Sequence, residues 1–371
     1  MPRIRDQPLG ILEEMVLGQR MAQKTGCIIS QLLVTGGAGF IGSNFIRYFL
    51  ECHPESAIVN LDNLTYAGNL DNLTEVHALP NYRFVRGDIC DAELVKSLFE
   101  QPFDAVVHFA AESHVDRSIA DAEDFIRTNV QGTCTLLDAA RRKGIQRFLH
   151  ISSDEVYGSM DPAQSADERA ALEPNSPYAA SKAASDLLAR SFWKTYRFPV
   201  ITTHSSNNYG PFQFPEKLIP LVITNALEGK KLPIYGDGLN ERDWIFVEDH
   251  CAALDRVLQC GEPGETYNIG SGQPVTNLEI VRRVLQILGR SEDLIEFVQD
   301  RPGHDRRYAL NTDKIRGELG WRPAVGQEQG LARTVKWYQN HGDWVRKAKN
   351  GEYRTYYRKL YGNRRSTLAQ L

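Results

Sequence analysis

The chain of 371 residues is 42% hydrophobic and 24% charged, so it can bury a sizeable core as one large α/β unit with an appended lobe. Its formal net charge is −4 and its charges are spread along the sequence, which excludes the overall basic surface of a protein that binds nucleic acid or an anionic membrane. No apolar run reaches the ~18 residues that a membrane span requires, so none is predicted.

The two ends of the chain carry no recognisable chemistry. Residues 1–27 mix charges with scattered apolar side chains and lack the continuous apolar core of a signal peptide, so they are predicted to form a weakly helical N-terminal extension. Met15 and Met21 leave a later start codon open. Residues 362–371 are predicted to be a tail.

Cysteine usage predicts a cytoplasmic protein. The sequence has no C-x-x-C pair and no Cys/His spacing that suits a metal ion, so no metal site is predicted. Free thiols in a reducing cytosol are the expected state. The six cysteines are Cys27, Cys52, Cys90, Cys134, Cys251 and Cys260.

The first predicted elements form a βαβ unit around a glycine-rich turn. They are a strand over residues 28–34, a turn over residues 35–42, a helix from Ser43 to about Cys52 and a strand over residues 57–61. The glycines let the backbone approach a pyrophosphate, whose charge the helix N-terminus stabilises. Asp62 follows the second strand, where a carboxylate accepts both ribose hydroxyls and repels a 2′-phosphate, so NAD is favoured over NADP.

The alternation of strands and helices continues and predicts a Rossmann-type doubly wound parallel sheet with a smaller C-terminal α/β lobe for substrate. In such sheets the carboxyl ends of the strands line the ligand crevice. A strand over residues 84–89 would place Asp88 near adenine, and further strands are predicted over residues 105–107 and 148–152. His108 and His150 are interpreted as hydrogen-bonded, partly buried histidines without a chemical role.

A Tyr/Lys pair suited to oxidising a hydroxyl follows on a predicted helix. Ser176 and Pro177 open this helix, and Tyr178 and Lys182 lie one turn apart on the same face. A nearby ammonium favours the tyrosinate, so we predict that Lys182 lowers the pKa of Tyr178 below its reference value of about 10. Tyr178 would then accept a hydroxyl proton.

Two adjacent acids, Asp154 and Glu155, distinguish this chain from a simple dehydrogenase. They follow Ser153 at the carboxyl end of a predicted strand. Adjacent loop acids that stand alone are more often solvated surface groups. An oxidation needs only one base, however, so an additional acid and base near Tyr178 indicate a second step on the same substrate. We predict that this step is loss of water.

Seven stretches resemble the extended short-chain dehydrogenase/reductase superfamily, in its NAD-dependent epimerase/dehydratase branch, and within it the dTDP-glucose 4,6-dehydratases. The stretches are residues 35–42, 61–73, 111–119, 151–158, 176–185, 206–220 and 301–308, and the resemblance covers residues 28–361. Ser153 stands where this family usually has threonine, so the hydroxyl is kept and a methyl group is lost. We expect the difference to tune rate or orientation without changing the reaction.

The resemblance implies a mechanism with bound NAD. Tyr178, helped by Lys182 and Ser153, removes the proton of the sugar's 4-hydroxyl while hydride leaves carbon 4 for NAD. Glu155 then abstracts the carbon 5 proton that the ketone has acidified, and Asp154, as a neutral acid, protonates the departing 6-hydroxyl. Hydride returns to carbon 6 and carbon 5 is reprotonated, which gives a 4-keto-6-deoxy sugar nucleotide for deoxysugar biosynthesis.

The resemblance also implies the remaining site residues. Those expected to hold NAD are Gly36, Gly39, Phe40, Ile41, Gly42, Asp62, Asn63, Thr65, Asp88, Ile89, Ala110, Ala111, Ser113, Tyr178, Lys182 and Asn207. Those expected to hold the nucleotide sugar are His114, Asp116, Ser153, Asp154, Glu155, Asn208, Lys217, Leu218, Tyr235, Arg242, Asn277, Arg301, His304 and Tyr308. Among them, Lys217 and Arg242 would pair with the diphosphate, and Tyr235 would stack on thymine.

The same comparison implies a domain organisation. Residues 28–206 plus 241–270 would form the NAD-binding domain, completed by a strand over residues 242–247, a helix over residues 249–259 and a strand over residues 265–269. Residues 207–240 plus 271–361 would form the nucleotide-sugar domain. Helices near residues 120–143 and 176–196 resemble those of a four-helix dimer interface, so a homodimer is expected.

Three alternatives stay open on the sequence. A nucleotide-sugar 4-epimerase or UDP-glucuronate decarboxylase would share the Tyr178 and Lys182 positions but lack the adjacent Asp154 and Glu155. A UDP-sugar 4,6-dehydratase would differ only around the nucleotide base. A catalytically silent NAD-binding protein would have lost at least one of these four side chains, and all four are present.

Overall fold

The computed structural model describes residues 29–361. The predicted extension over residues 1–27, with Cys27, and the predicted tail over residues 362–371 lie outside this range. Within residues 29–361, no helix combines the length and the apolar character needed to cross a bilayer. Cys52, Cys90, Cys134, Cys251 and Cys260 are free thiols.

Twelve strands form three sheets in the described chain. In chain order they are β1 Gln31–Thr35, β2 Ala57–Asp62, β3 Tyr82–Arg86, β4 Ala105–His108, β5 Arg147–Ser153, β6 Val200–Ser205, β7 Asn207–Tyr209, β8 Leu232–Tyr235, β9 Glu241–Phe246, β10 Thr266–Ile269, β11 Pro274–Thr276 and β12 Ile295–Val298. The main sheet has seven parallel strands in the order β3-β2-β1-β4-β5-β6-β10. The strand order reverses between β1 and β4, which places the ligand crevice at their carboxyl ends.

Helices cover both faces of this sheet and build the second lobe. In chain order they are α1 Phe40–Cys52, α2 Ala92–Leu98, α3 Val115–Ala120, α4 Glu123–Phe125, α5 Thr133–Arg142, α6 Pro177–Tyr196, α7 Leu218–Leu227, α8 Val247–Cys260, α9 Asn277–Leu288, α10 Asp313–Leu319, α11 Gln327–Asn340, α12 Gly342–Ala348 and α13 Gly351–Tyr361. A π-helical segment, Ile126–Gly132, joins α4 to α5.

The main sheet is buried on both faces, which explains its nearly continuous apolar strands. On one face, Phe45 and Phe49 of α1 pack with Leu254 of α8. On the other face, Leu137 of α5 and Phe192 of α6 cover the sheet. A separate core in the second lobe joins α7, α9 and α11 around β8 and β9. The predicted doubly wound fold with a smaller lobe is confirmed.

Local boundaries differ from the predicted ones, and one strand joins a different sheet. The first strand begins at Gln31, three residues later than predicted, and α1 begins at Phe40, three residues earlier. The strand predicted over residues 242–247 does not complete the main sheet. It is β9, which pairs with β7 and β11 in a three-stranded sheet, because its apolar side chains pack into the core of the second lobe. The helix α8 and the strand β10 do complete the main unit, as predicted.

Candidate active site

The turn after β1 has the geometry of a pyrophosphate cradle. Gly36 has a φ of +73°, and a Cβ atom there would lie 2.5 Å from the amide nitrogen of Ala110. A Cβ atom on Gly42 would lie 2.4 Å from the carbonyl oxygen of Gly36, so both positions require glycine. Gly39 caps α1, whose first turn has no side-chain cap bond and no acid, so its positive end is available to an anion.

Asp62 lies at the carboxyl end of β2 beside this turn. Its Oδ2 accepts from the Ala38 amide at 2.8 Å and its Oδ1 from the Leu64 amide at 2.8 Å. Burial raises the pKa of Asp62, and the two amides oppose that rise. Each oxygen keeps a lone pair for a ribose hydroxyl, and the carboxylate would repel a 2′-phosphate. The observed turn and acid therefore fit NAD.

A cleft of about 320 Å³ runs from the glycine turn to the end of β5. Every residue predicted to hold NAD lines it, from Gly36 through Asp62 to Asn207. Ser153, Asp154 and Glu155 line the same cleft, as do Asn208 and Lys217. The structure therefore brings the predicted cofactor residues and the predicted catalytic residues to one cavity.

Asp154 and Glu155 begin a 3₁₀ turn after β5 and have different surroundings. Asp154 is 3% exposed, its Oδ1 accepts a long bond of 3.3 Å from the Ser153 hydroxyl, and its Oδ2 has no partner among the described residues. Burial, with a smaller contribution from Glu155, raises the pKa of Asp154 well above its ordinary value. Burial therefore favours the protonated form of Asp154.

Glu155 is half-buried and faces positive charge. Its Oε2 lies 3.5 Å from the Tyr308 hydroxyl. The charges of Lys217, Arg242 and Arg301 interact with this carboxylate. Two neighbouring acids thus differ in environment, as an acid and a base at one site require.

Tyr178 and Lys182 both lie on the buried face of α6, but one sequence prediction about them is wrong. Burial and the charge of Glu155 raise the pKa of Tyr178 above its ordinary value, whereas a lowered pKa was predicted. The Lys182 ammonium donates to the Ile151 carbonyl at 2.7 Å. Burial also lowers the pKa of Lys182 to about 8. For Tyr178, the rise in pKa caused by burial is larger than the fall that the Lys182 ammonium was expected to cause.

His108 and His150 are both hydrogen-bonded, as the sequence predicted. His108 is bonded on both ring nitrogens, to Thr35 Oγ1 at 2.7 Å and to Thr133 Oγ1 at 2.9 Å. His150 lies 3.1 Å from a carboxylate oxygen of Asp186. Both rings are buried in the sheet interior.

A second cluster adjoins the cleft, with side chains from the smaller lobe and from α3. The Arg242 guanidinium lies 4.1 Å from the centre of the Tyr308 ring. Arg301 approaches Asp116 at 3.6 Å, and the Tyr235 hydroxyl lies 3.4 Å from the same carboxylate. The structure therefore brings these five predicted substrate residues close together, immediately beyond Glu155.

The other predicted substrate residues differ in their surroundings. The His304 ring packs edge-on against Tyr235, and burial together with Arg301 and Arg242 lowers the pKa of His304 to about 4. Burial lowers the pKa of His114 well below its ordinary value, so this ring is also neutral. Asn277 begins α9, and its Oδ1 has no partner among the described residues. Leu218 instead packs into the apolar core of the second lobe.

Sequence reasoning missed several polar side chains of the site. Gln213 and Glu216 line the cleft, and burial raises the pKa of Glu216 to about 7. Arg117 lies 3.6 Å from Glu216 and stacks over the Tyr66 ring at 3.7 Å. Each lies within a family-like stretch, but only burial distinguishes it from a solvated residue, and burial is not visible in a local pattern.

Comparison with known proteins assigns the family. Residues 33–334 match the family model described as GDP-mannose 4,6 dehydratase. A dTDP-glucose 4,6-dehydratase of Streptomyces niveus is 52% identical over 318 residues, which cover 85% of this chain and 94% of that protein. One of Neisseria meningitidis is 51% identical over 346 residues, covering 87% of this chain and 97% of that protein.

Solved structures agree with this result. DesIV, a dTDP-glucose 4,6-dehydratase of Streptomyces venezuelae crystallised with NAD, is 53% identical with a TM-score of 0.84, and the match covers 86% of this chain and all of DesIV. A UDP-glucose 4-epimerase of Thermotoga maritima has a TM-score of 0.78 at 28% identity, covering 84% of this chain and 99% of that enzyme. The chain therefore belongs to the family described as GDP-mannose 4,6 dehydratase and, within it, to the dTDP-glucose 4,6-dehydratases.

Proposed function

We propose that this protein is an NAD-dependent hydro-lyase that converts dTDP-glucose to dTDP-4-keto-6-deoxyglucose. The observation that carries the proposal is the pairing of a buried Asp154, whose pKa is raised, with a half-buried Glu155 in the same cleft as Tyr178. An epimerase that only oxidises and reduces carbon 4 has no use for this acid and base. The product would supply deoxysugar biosynthesis, for example of rhamnose.

The glycine turn and Asp62 would hold NAD, with Asp88 near the adenine. When bound, NAD would supply the acceptor that takes hydride from carbon 4 and returns it to carbon 6, and carbon 5 regains a proton at that return. Lys182, which is largely protonated at neutral pH, supplies a positive charge one helical turn from Tyr178. This charge favours the Tyr178 phenolate, which accepts the proton of the 4-hydroxyl. The Ser153 hydroxyl interacts with the phenol and orients it.

Elimination of water would follow on the next two side chains. The 4-ketone acidifies the proton on carbon 5, and Glu155 accepts that proton. Asp154, whose protonated form is favoured by burial, would donate its proton to the 6-hydroxyl as it leaves. The two carboxyl groups come from consecutive residues and so project in different directions, which suits attack at two adjacent carbons.

The second cluster would hold the nucleotide half. Lys217 and Arg242 would bind the diphosphate, and Arg301 and His304 would close on the nucleoside, with Tyr235 against the thymine. His114, Asp116, Asn207 and Asn208 would address the glucose and the nicotinamide ribose. The neutral state of His304 supports contact with an uncharged base.

The two lobes would bind different molecules. Residues 28–206 with residues 247–270 would bind NAD, and the rest of residues 207–361 would bind the nucleotide sugar. We further propose a homodimer through α6 and the helix formed by α4, the π-helical segment and α5. The free thiols of the described chain support a cytoplasmic location.

The test is an incubation with dTDP-glucose deuterated at carbon 4, without added NAD. Deuterium on carbon 6 of a 4-keto-6-deoxy product, detected by NMR and mass spectrometry, supports transfer of the carbon 4 hydride to carbon 6 through NAD that the protein retains. Scrambled configuration at carbon 4 without loss of water would overturn the proposal in favour of a 4-epimerase. Reaction of UDP-glucose alone would revise the nucleotide base.

A further inference from the structure

A buried polar cluster lies beneath Tyr178 and Lys182 and takes no part in the steps above. Its centre is Asp186, one helical turn after Lys182 on α6 and 6% exposed. Its Oδ1 lies 3.1 Å from His150 Nε2, and its Oδ2 lies 3.0 Å from His204 Nε2. The Ser152 hydroxyl donates to Oδ2 at 2.9 Å. A buried carboxylate is costly unless a positive charge balances it, so the location of the protons matters.

The far end of the cluster fixes those protons. The Asn268 Nδ2 donates to the carbonyl oxygens of Ala166 at 2.9 Å and Asn311 at 3.2 Å. This orients the amide, so its Oδ1 faces the Tyr157 hydroxyl at 3.0 Å and can only accept. Tyr157 therefore gives its single proton to Asn268.

His204 must consequently donate from both ring nitrogens. Its Nδ1 lies 2.6 Å from the Tyr157 oxygen, which has already used its proton and can only accept there. Its Nε2 faces the Asp186 carboxylate, which also accepts. An imidazole that carries both protons is a cation. His150 needs only an Nε2 proton, since its Nδ1 has no partner within residues 29–361.

Lys182 lies one helical turn before Asp186 on α6, and its charge interacts with the Asp186 carboxylate. The titratable side chains that interact with its ammonium are Asp186 on its own helix, His150 on β5 and His108 on β4, with Tyr178 one turn earlier on α6. Of these, Asp186 carries the negative charge. Burial lowers the pKa of Lys182 to about 8, and Asp186 opposes that fall.

We propose that Asp186, one helical turn from Lys182 and bonded to a doubly protonated His204, is a positioning residue that keeps Lys182 charged for the oxidation step. The proposal rests on the proposed function, because it assigns the purpose of that charge to Tyr178. His204 neutralises part of the carboxylate's charge, and the remainder acts on Lys182. The cluster thus sets the pH range over which the base works.

Two variants test this through the pH dependence of kcat. The rate falls at alkaline pH as Lys182 loses its proton. Asp186→Asn removes the anion that holds this proton, so the alkaline limb should move to lower pH by ~1–3 units. Tyr157→Phe removes the acceptor of the His204 Nδ1 proton, so His204 becomes neutral, the Asp186 charge is less compensated, and the limb should move to higher pH.

The opposite signs separate a positioning role from a structural one. Tyr267→Phe is the matched control: it removes a buried hydroxyl bonded to Glu262 and Glu318 and should lower the melting temperature without moving the limb. If Asp186→Asn and Tyr157→Phe lower only the melting temperature, and the alkaline limb of each variant stays where it is in the unaltered protein, the proposal is overturned.

A second readout needs no turnover. In protein labelled with ¹⁵N-histidine, the His204 ring, identified by its loss in His204→Gln, should show two protonated nitrogens, and only one in Tyr157→Phe. A single protonated nitrogen in the unaltered protein would overturn the proposal even if dTDP-glucose is converted. Failure to convert any nucleotide sugar would instead overturn the proposed function, whatever the spectrum shows.

Discussion

Glu155 is the side chain on which the distinction between oxidation and dehydration depends. Glu155→Gln removes the base but keeps the side-chain volume and the neighbouring Tyr308 contact. We expect oxidation at carbon 4 to continue while product formation falls by ~10²–10⁴-fold, the usual contribution of a general base. NMR in deuterated water should show loss of deuterium incorporation at carbon 5 together with the slower elimination.

A matched control is available one loop away. Glu173 is exposed beyond the same 3₁₀ turn, and Glu173→Gln makes the same chemical change outside the cleft. This control should keep the full rate. Equal rates for both variants would show that Glu155 is not the base.

The raised pKa of Asp154 lowers the stability of the native state. Its unfolded form ionises near ~3.9, while the folded form keeps its proton to a higher pH because burial raises its pKa. Between these two values the unfolded state binds fewer protons, so this group makes the native state less stable as pH rises. Asp154→Asn should therefore be inactive in elimination yet more stable, by ~1.4 kcal/mol per unit of the raised pKa.

Thermal melts at several pH values check this sign. The difference between Asp154→Asn and the unaltered protein should grow as the pH rises above about 4, until the folded-state Asp154 itself ionises. A constant difference, or a variant less stable at neutral pH, would mean that Asp154 is ionised in the native state.

The sequence could predict the residues of the site better than their charge states. The glycine turn, Asp62 and the Asp154–Glu155 pair follow from local patterns, because their spacing is set along one strand or turn. The raised pKa of Tyr178 and the cluster around Asp186 depend on burial by distant elements. A single-sequence argument has no access to that burial.

At the level of elements, α6 has one face in the active site and another that is open. Leu187 is 55% exposed and Tyr196 53%, and Ile126 of the adjoining π-helical segment is 52% exposed. These apolar groups support the proposed dimer face. Leu187→Glu should therefore convert dimers to monomers in size-exclusion chromatography with light scattering.

Leu239 provides the control for this surface. It is 44% exposed on a loop of the second lobe, and Leu239→Glu should leave the oligomeric state unchanged. Dimers that persist in Leu187→Glu would place the interface elsewhere.

Element boundaries show where sequence patterns stop being informative. The strand β9 was recognisable, but its membership of the main sheet was predicted wrongly, because an apolar run does not state which sheet will bury it. Its partners, β7 and β11, lie on either side of it along the chain, and only the packing of the second lobe selects them.

At the scale of the whole molecule, a chain of hydrogen bonds connects the second lobe to the glycine turn. The Trp344 indole donates to Asn72 Oδ1 at 2.8 Å, and Asn72 Nδ2 donates to the Ala38 carbonyl at 2.9 Å. Ala38 in turn donates to Asp62. Trp344→Phe should loosen this connection and release NAD faster, measured as NAD remaining after repeated buffer exchange.

Trp321→Phe is a suitable comparison, because Trp321 is a similarly buried indole packed in the main core. It should retain NAD as the unaltered protein does. Equal NAD loss from both variants would show general loosening and not a specific connection to the turn.

The Trp344–Asn72 contact also constrains how the protein is made. Trp344 leaves the ribosome long after the glycine turn, about 15 to 60 seconds later at a synthesis rate of ~5–20 residues per second. The edge strand β10 is also synthesised after β6, so one edge of β6 stays unpaired during that part of translation. The nascent chain should therefore need chaperone protection, and the cofactor site should be the last part of the protein to mature.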